Sequence, residues 1–256
     1  MKAIKYFVFF ILLLQMQGKA ANANTEIKLF AAASTVELIM DLTSRWKALH
    51  KQNVRTVFGS SGALARQIAL GAPADLFFSA AKLWVTYLIK NQYAVKNSRH
   101  TVATNRLVLI ASRGYKVAPK FNPANDILSM LGPHKRLAIA DPSHVPAGQY
   151  ARELLQNLKL WNKVKQRTAR TQNVRLALAL VERKEAPFGI VYKSDIHRRK
   201  KVENLYTFSE KLHSPIEYQI AAMTNATEGA REFLKFLNSS DSYKIMELNG
   251  FKPVRN

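Results

Sequence analysis

Short apolar segments alternate with amphipathic segments along the first eighty residues, and this alternation constrains the fold most. Residues 26–32, 54–58 and 74–80 are predicted strands. Between the first two, apolar side chains recur every three or four residues, as on one face of a helix: Val36, Ile39, Leu42, Trp46 and Leu49. A second helix is predicted over residues 62–70. Strands that alternate with helices predict a parallel sheet.

A second block repeats the alternation. Strands are predicted at 106–111, 137–140, 189–192 and 216–223, and helices at 148–158, 174–183, 230–237 and 243–248. We therefore expect an α/β protein of two lobes, each a sheet flanked by helices, joined by two hinge strands around a cleft. Residues 24–102 and 223–256 are assigned to lobe I, and residues 103–222 to lobe II.

The N-terminus predicts export. Lys2 and Lys5 precede an apolar run over residues 6–14, and Ala21-Asn22-Ala23 is a small-x-small cleavage motif. Residues 1–23 are thus interpreted as a cleaved signal peptide, in preference to a retained anchor, because the run is short for a bilayer span. The mature chain is expected to be soluble in the periplasm. The chain has no cysteine, which excludes disulfides and thiolate metal sites.

The chain carries a formal net charge of +22, and removal of the three signal-peptide lysines leaves +19. Such a field either steers a small anion toward a cleft or adheres to a polyanion. The densest basic run, residues 197–201, is predicted to be a solvated loop. No basic ribbon with interleaved aromatic residues accompanies it, which disfavours nucleic acid as a partner.

Four places in the sequence have the features of an anion site. A helix predicted to begin at Val174 leads to a strand that ends on Tyr192, and small residues stand between a strand and a helix at 33–35, 60–62 and 145–148. A helix N-terminus offers unpaired N–H groups and a positive dipole end. In open α/β sheets the ligand crevice lies at the carboxyl ends of the strands, which is where Ser34 and Ser61 are predicted.

Seven collinear segments carry a family resemblance: FAAAS (30–34), FGSSG (58–62), LARQI (64–68), GAPADLF (71–77), DPSHVPAG (141–148), ALALVE (177–182) and GIVY (189–192). With these segments the chain resembles the periplasmic molybdate-binding proteins of ABC uptake systems, over nearly all of the mature sequence. The resemblance implies the two-lobed type II periplasmic binding protein fold, a monomer, an inner-membrane permease as partner, and molybdate or tungstate as ligand without any cofactor.

The resemblance also implies a ligand set: Ser34, Ser61, Ala147, Val174 and Tyr192. Each serine can donate from its backbone and its hydroxyl, Ala147 and Val174 only from their backbones, and Tyr192 from its hydroxyl. Molybdenum would be bound as its oxyanion, with no side chain on the metal. A shell of neutral donors suits a fully deprotonated dianion and leaves the hydroxyl of a protonated phosphate unpaired.

Simpler roles exist for the same residues. Ser34 and Ser61 could be helix N-caps, Ala147 could mark a helix start after Pro146, and Val174 and Tyr192 could be core residues. Sulfate is the alternative oxyanion. A hydrolase is the alternative class, with His144 as its one candidate base, but the histidines lack paired metal spacing and no nucleophile elbow is present.

Overall fold

The computed structural model describes residues 26–115 and 121–255. The predicted signal peptide lies outside these residues. None of the helices in the described part of the chain is long and apolar enough to cross a membrane.

The strands are β1 (Ile27–Ala32), β2 (Val54–Gly59), β3 (Leu76–Ser79), β4 (His100–Thr104), β5 (Leu107–Ser112), β6 (Leu137–Ala140), β7 (Thr168–Thr171), β8 (Phe188–Tyr192), β9 (Val202–Thr207), β10 (Glu217–Ala222) and β11 (Lys252–Pro253). The α-helices are α1 (Val36–His50), α2 (Ser61–Ala69), α3 (Lys82–Lys90), α4 (Pro123–Leu131), α5 (Pro146–Asn157), α6 (Trp161–Val164), α7 (Val174–Glu182), α8 (Glu228–Phe236) and α9 (Ser240–Leu248).

The first sheet has the strand order β11-β4-β10-β3-β1-β2. β1 pairs in parallel with β2 and β3, as the alternation of strands and helices predicts. β10 is antiparallel to both β3 and β4. The sheet is therefore mixed, because β4 and β10 carry the chain to and from the second sheet and run in opposite directions.

The second sheet has the order β7-β6-β8-β5-β9. β6 is parallel to β7 and β8, whereas β5 is antiparallel to β8 and β9. The carboxyl ends of β6, β7 and β8 thus lie at one edge of this sheet. We call each sheet with its packed helices a lobe, the first lobe containing β1 and the second lobe containing β5.

The structure moves one predicted lobe boundary. The sequence pattern predicts that residues 103–222 belong to lobe II, but β10 forms a central strand of the first sheet, with Gln219 opposite Ser79 of β3. The chain crosses between the sheets at residues 105–106 and again at residues 208–216. Backbone pairing on both sides of β10 explains the difference, since an apolar strand pattern does not reveal which sheet the strand joins.

Helix α1 shows how the apolar pattern becomes a core. Leu38, Leu42 and Trp46, spaced four residues apart, are buried together with Ile39. The Trp46 ring packs edge-on against Phe233 of α8 at a centroid distance of 5.3 Å. Leu49, predicted on this face, is instead 49% exposed. The buried face is therefore rotated slightly from the predicted one, and it anchors the helix that follows Ser34.

Candidate functional site

All five predicted ligand residues lie at the carboxyl ends of strands. Ser34 follows β1, Ser61 follows β2, Ala147 follows β6 and Val174 follows β7, while Tyr192 is the last residue of β8. Each is between 1% and 3% exposed. The first two belong to the first lobe and the other three to the second, so a ligand that contacts all of them must lie between the lobes.

Ser61 is not the cap of its helix. The cap of α2 is Ser60, whose hydroxyl accepts from the Ala63 N–H at 3.3 Å. The Ser61 hydroxyl oxygen instead accepts from the Ala80 N–H at 3.0 Å. A hydroxyl has one proton to donate and can also accept. The bond from Ala80 uses one lone pair of the Ser61 oxygen and leaves the hydroxyl proton available for a ligand.

Ser34 has no capping role either. It lies in a short 3-10 helix, Ala33–Thr35, whose start has no side-chain cap. Its hydroxyl oxygen is 2.9 Å from the Tyr218 hydroxyl oxygen in β10. Tyr218 is fully buried and was not among the predicted site residues. It therefore joins the site as a residue that contacts a predicted ligand residue.

The second lobe contributes two helix N-termini. Asn173 caps α7, since its side-chain oxygen accepts from the Leu176 N–H at 3.1 Å. Val174 is the first residue of this helix, so its N–H has no acceptor within the helix. Helix α5 begins with Pro146, which has no N–H, and Ala147 supplies the first one. Each helix start thus offers a backbone donor without an acceptor in its own helix, together with a positive dipole end.

The Tyr192 hydroxyl is the clearest sign of a ligand. It is buried and has no hydrogen-bond partner among residues 26–115 and 121–255. Burial raises its pKa well above the ordinary value, so the phenol stays neutral and protonated. A buried hydroxyl without a partner is costly. An anion that accepts its proton would remove this cost, which fits a tetrahedral oxyanion between the lobes.

The two lobes are in contact at the site. A Cβ atom added to Gly62, at the start of α2, would overlap the backbone carbonyl of His144 in the second lobe and the ring of Trp84. Glycine therefore permits a close approach that any larger residue would obstruct. The structure is consequently a closed form of the cleft.

An arginine from the second lobe reaches across to the first. The Arg175 guanidinium donates to the Ser34 carbonyl at 3.1 Å and forms an ion pair with Glu37 of α1. Its Nε atom lies 3.0 Å from a carboxylate oxygen of Asp195. Burial raises the pKa of Asp195 to about 6, although Arg175 opposes the shift. Arg175 thus connects the buried acid of one lobe to the ligand segment of the other.

The basic run at residues 197–201 is only partly a solvated loop. Arg199 pairs with Glu37 at 2.6 Å, and Arg198 lies 3.4 Å from Asp41. Both acidic residues belong to α1 in the first lobe. We call these two pairs, with the Arg175–Glu37 pair, the interlobe ion pairs. Sequence reasoning missed them because their partners are about 140 residues or more apart in the chain.

The structure gives His144 a loop role. Its Nδ1 atom is 2.9 Å from the hydroxyl of its neighbour Ser143, whose N–H donates to Asp141. Its carbonyl, not its ring, faces Gly62. In the described part of the chain no cluster of three or more His, Asp or Glu side chains could hold a metal ion. The geometry offers donors and helix ends for binding an anion.

Two lobes, each a sheet flanked by helices, joined by two chain crossings, are the architecture of a solute-binding protein. The chain belongs to the bacterial extracellular solute-binding proteins, whose family model matches residues 27–252. It is 38% identical to the molybdate-binding protein ModA of Haemophilus influenzae over 242 residues, which cover 94% of this chain and 95% of that relative. The molybdate-binding protein ModA of Escherichia coli is 39% identical over 239 residues, 91% of each chain.

A solved structure supports the fold. The periplasmic molybdate-binding protein of Azotobacter vinelandii aligns with a TM-score of 0.78 at 23% identity, covering 88% of this chain and 98% of that one. The expected two-lobed type II periplasmic binding protein fold is confirmed, as is the expected family. The relatives are binding proteins, so this chain is a solute-binding protein and not an enzyme.

Proposed function

We propose that this protein is a periplasmic receptor that captures molybdate, and also tungstate, between its lobes and delivers it to an ABC permease in the inner membrane. The observation that carries the proposal is the buried Tyr192 hydroxyl, which has no hydrogen-bond partner in the part of the chain that the structure describes. It lies in a set of five buried residues that offer only neutral donors. The similarity to molybdate-binding proteins of two other bacteria supports the same ligand.

The proposed shell is Ser34, Ser61, Ala147, Val174 and Tyr192. Two serine hydroxyls, one phenol and backbone N–H groups at helix starts replace the water around a dianion. Molybdate is a ligand here and not a cofactor, because the protein carries it and performs no chemistry on it. Monomeric action in the periplasm and delivery to the permease belong to the same proposal.

Competition for the site tests the proposal. The protein without residues 1–23 is incubated with molybdate, tungstate and an excess of sulfate and phosphate, and then desalted. Bound molybdenum and tungsten are measured by elemental mass spectrometry. Sulfate and phosphate released by denaturation are measured by ion chromatography, because methionine sulfur would obscure bound sulfate. We expect molybdenum and tungsten together to approach one atom per chain. Recovery of phosphate, or of no oxyanion, would contradict the proposal. Recovery of sulfate would mean that the protein is a receptor for sulfate, the alternative oxyanion.

A further inference from the structure

Three buried side chains form a hydrogen-bonded line that ends at the proposed anion site. The Asn105 amide nitrogen lies 3.4 Å from the Tyr218 hydroxyl, which lies 2.9 Å from the Ser34 hydroxyl. All three residues are buried. Asn105 stands where the chain crosses between the lobes, and Tyr218 lies in β10. We call these residues the Asn105–Tyr218–Ser34 line.

The orientation of the Asn105 amide follows from its neighbours. Its oxygen accepts from the backbone N–H of Arg106 at 2.9 Å and of Ser194 at 3.4 Å. Its nitrogen must then face the other way, where it donates to the Ser194 hydroxyl at 2.8 Å and to Tyr218. An amide nitrogen carries two protons and accepts nothing. Asn105 is therefore a donor to Tyr218.

This orientation fixes the next bond. The Tyr218 oxygen accepts a hydrogen bond from Asn105. We infer that its own proton points to its other partner, the Ser34 hydroxyl oxygen, because the phenol would otherwise be a buried donor without an acceptor. Burial raises the pKa of Tyr218, which keeps the phenol protonated. The Ser34 oxygen thus accepts from Tyr218. Its single proton is left to point at the site.

We propose that Tyr218 and Asn105 are specificity-determining residues, because they hold Ser34 as a donor and so bias the site toward fully deprotonated tetrahedral oxyanions. The inference rests on the proposed function and extends it to residues outside the ligand shell. Ser61 is held in the same way by the Ala80 N–H. Each serine oxygen then accepts one hydrogen bond and directs its proton at the ligand. The hydroxyl of hydrogen phosphate finds only the remaining serine lone pairs as acceptors, and a poorly paired buried donor is costly.

Tyr218→Phe tests the line with little change in packing. The ring, which packs against Phe251 at 5.1 Å and Phe78 at 6.2 Å, is kept and only the hydroxyl is lost. We expect molybdate affinity to fall about two- to tenfold. Hydrogen phosphate affinity, measured by competition near pH 8, should stay level or rise, so the ratio of molybdate to phosphate affinity falls. Tyr206→Phe, whose ring packs against Phe121 and Phe208 in the second lobe, is the matched control.

A double-mutant cycle separates this role from a structural one. If Tyr218 acts through Ser34, Tyr218→Phe should have little further effect in a Ser34→Ala background. Equal effects of Tyr218→Phe with and without the Ser34 hydroxyl would overturn the proposal. So would an unchanged ratio of molybdate to phosphate affinity. Failure of the wild-type protein to bind any tetrahedral oxyanion would contradict the proposed function and not only the role of Tyr218. If the wild-type protein prefers sulfate, the same cycle is measured with sulfate. A wrong ligand and a wrong role for Tyr218 are thereby distinguished.

Asn105→Asp should reverse the direction of the hydrogen bonds in the Asn105–Tyr218–Ser34 line. A carboxylate in place of the amide nitrogen would accept the Tyr218 proton, so Tyr218 would accept from Ser34 and the serine oxygen would face the site. Molybdate and hydrogen phosphate both carry two negative charges near pH 8, so the added charge affects both. The ratio of molybdate affinity to phosphate affinity should therefore be lower in Asn105→Asp than in Tyr218→Phe. A shift toward molybdate would contradict the inferred proton direction.

Discussion

Tyr192 is the residue on which the proposed site depends most directly. Replacement by phenylalanine keeps the ring and removes the one buried hydroxyl within residues 26–115 and 121–255 that lacks a hydrogen-bond partner. A hydrogen bond to a charged group contributes about 1.5–3 kcal/mol, so molybdate affinity should fall about tenfold to a hundredfold. Titration calorimetry on the variant measures this loss. His144→Ala is the control, since the ring bonds Ser143 and should matter less; wild-type affinity in Tyr192→Phe would remove the residue from the site.

At the scale of single residues, the sequence predicts the ends of strands better than the partners of side chains. The positions of Ser34, Ser61, Ala147 and Tyr192 at strand ends follow from the alternation of strands and helices. The sequence pattern does not predict β7, the strand that precedes Val174. Tyr218 could not be predicted, because in sequence it is one more apolar position of a strand. Its contact with Ser34 depends on β10 lying between β3 and β4. Likewise, the sequence around Arg175 does not indicate that Glu37 is its ion-pair partner.

At the scale of elements, the interlobe ion pairs predict that the dissociation rate of molybdate increases with salt, because salt screens the pairs that hold the lobes together. Arg198 and Arg199 pair with Asp41 and Glu37 in this closed form, and such partly exposed pairs contribute about 0.2–1 kcal/mol each. Replacing both arginines by glutamine should raise the molybdate dissociation rate about two- to tenfold. The increase of that rate with NaCl should also become weaker. Stopped-flow measurements at several salt concentrations test both effects.

Lys200 and Lys201 provide the matched control. They carry the same charge and follow directly in sequence, and neither forms an ion pair within the described residues. A double glutamine variant there should alter association only, through the long-range field. Equal dissociation rates in the two variants would exclude the arginine pairs as contacts that hold the lobes together.

The start of α2 gives a second test of closure. In Gly62→Ala the added methyl group would overlap the His144 carbonyl and the Trp84 ring, so the lobes should not approach fully. We expect molybdate affinity to fall by more than about tenfold, because donors from both lobes no longer reach the ligand together. Small-angle scattering should show a decrease in radius of gyration with molybdate for wild type and a smaller decrease for the variant. An identical decrease in both would contradict this account of closure.

For the whole molecule, the alternation of strands and helices predicts two lobes but not the full course of the chain. The parallel strands β1, β2 and β3 follow from their connecting helices. The antiparallel strands β4, β5 and β10 do not, because the choice of sheet depends on contacts between distant segments. The closed arrangement also depends on such contacts. The resemblance implies the ligand set, and the structure places its five members at the carboxyl ends of strands.

The net charge of +22 also belongs to the whole molecule. Neutral donors would hold the ligand, while exposed lysines and arginines shape a field that salt screens beyond about 8 Å. Association of molybdate should therefore slow as NaCl rises. This effect is separate from the interlobe ion pairs, which act on dissociation.

Calorimetric titration of the protein lacking residues 1–23 with molybdate, tungstate, sulfate and phosphate measures the ligand preference of the proposed site. We predict one molybdate or tungstate per chain, bound far more tightly than sulfate or phosphate. Neutral donors can satisfy a fully deprotonated dianion, whereas hydrogen phosphate needs an acceptor. Tight binding of phosphate, or no heat with any of the four anions, would contradict the account.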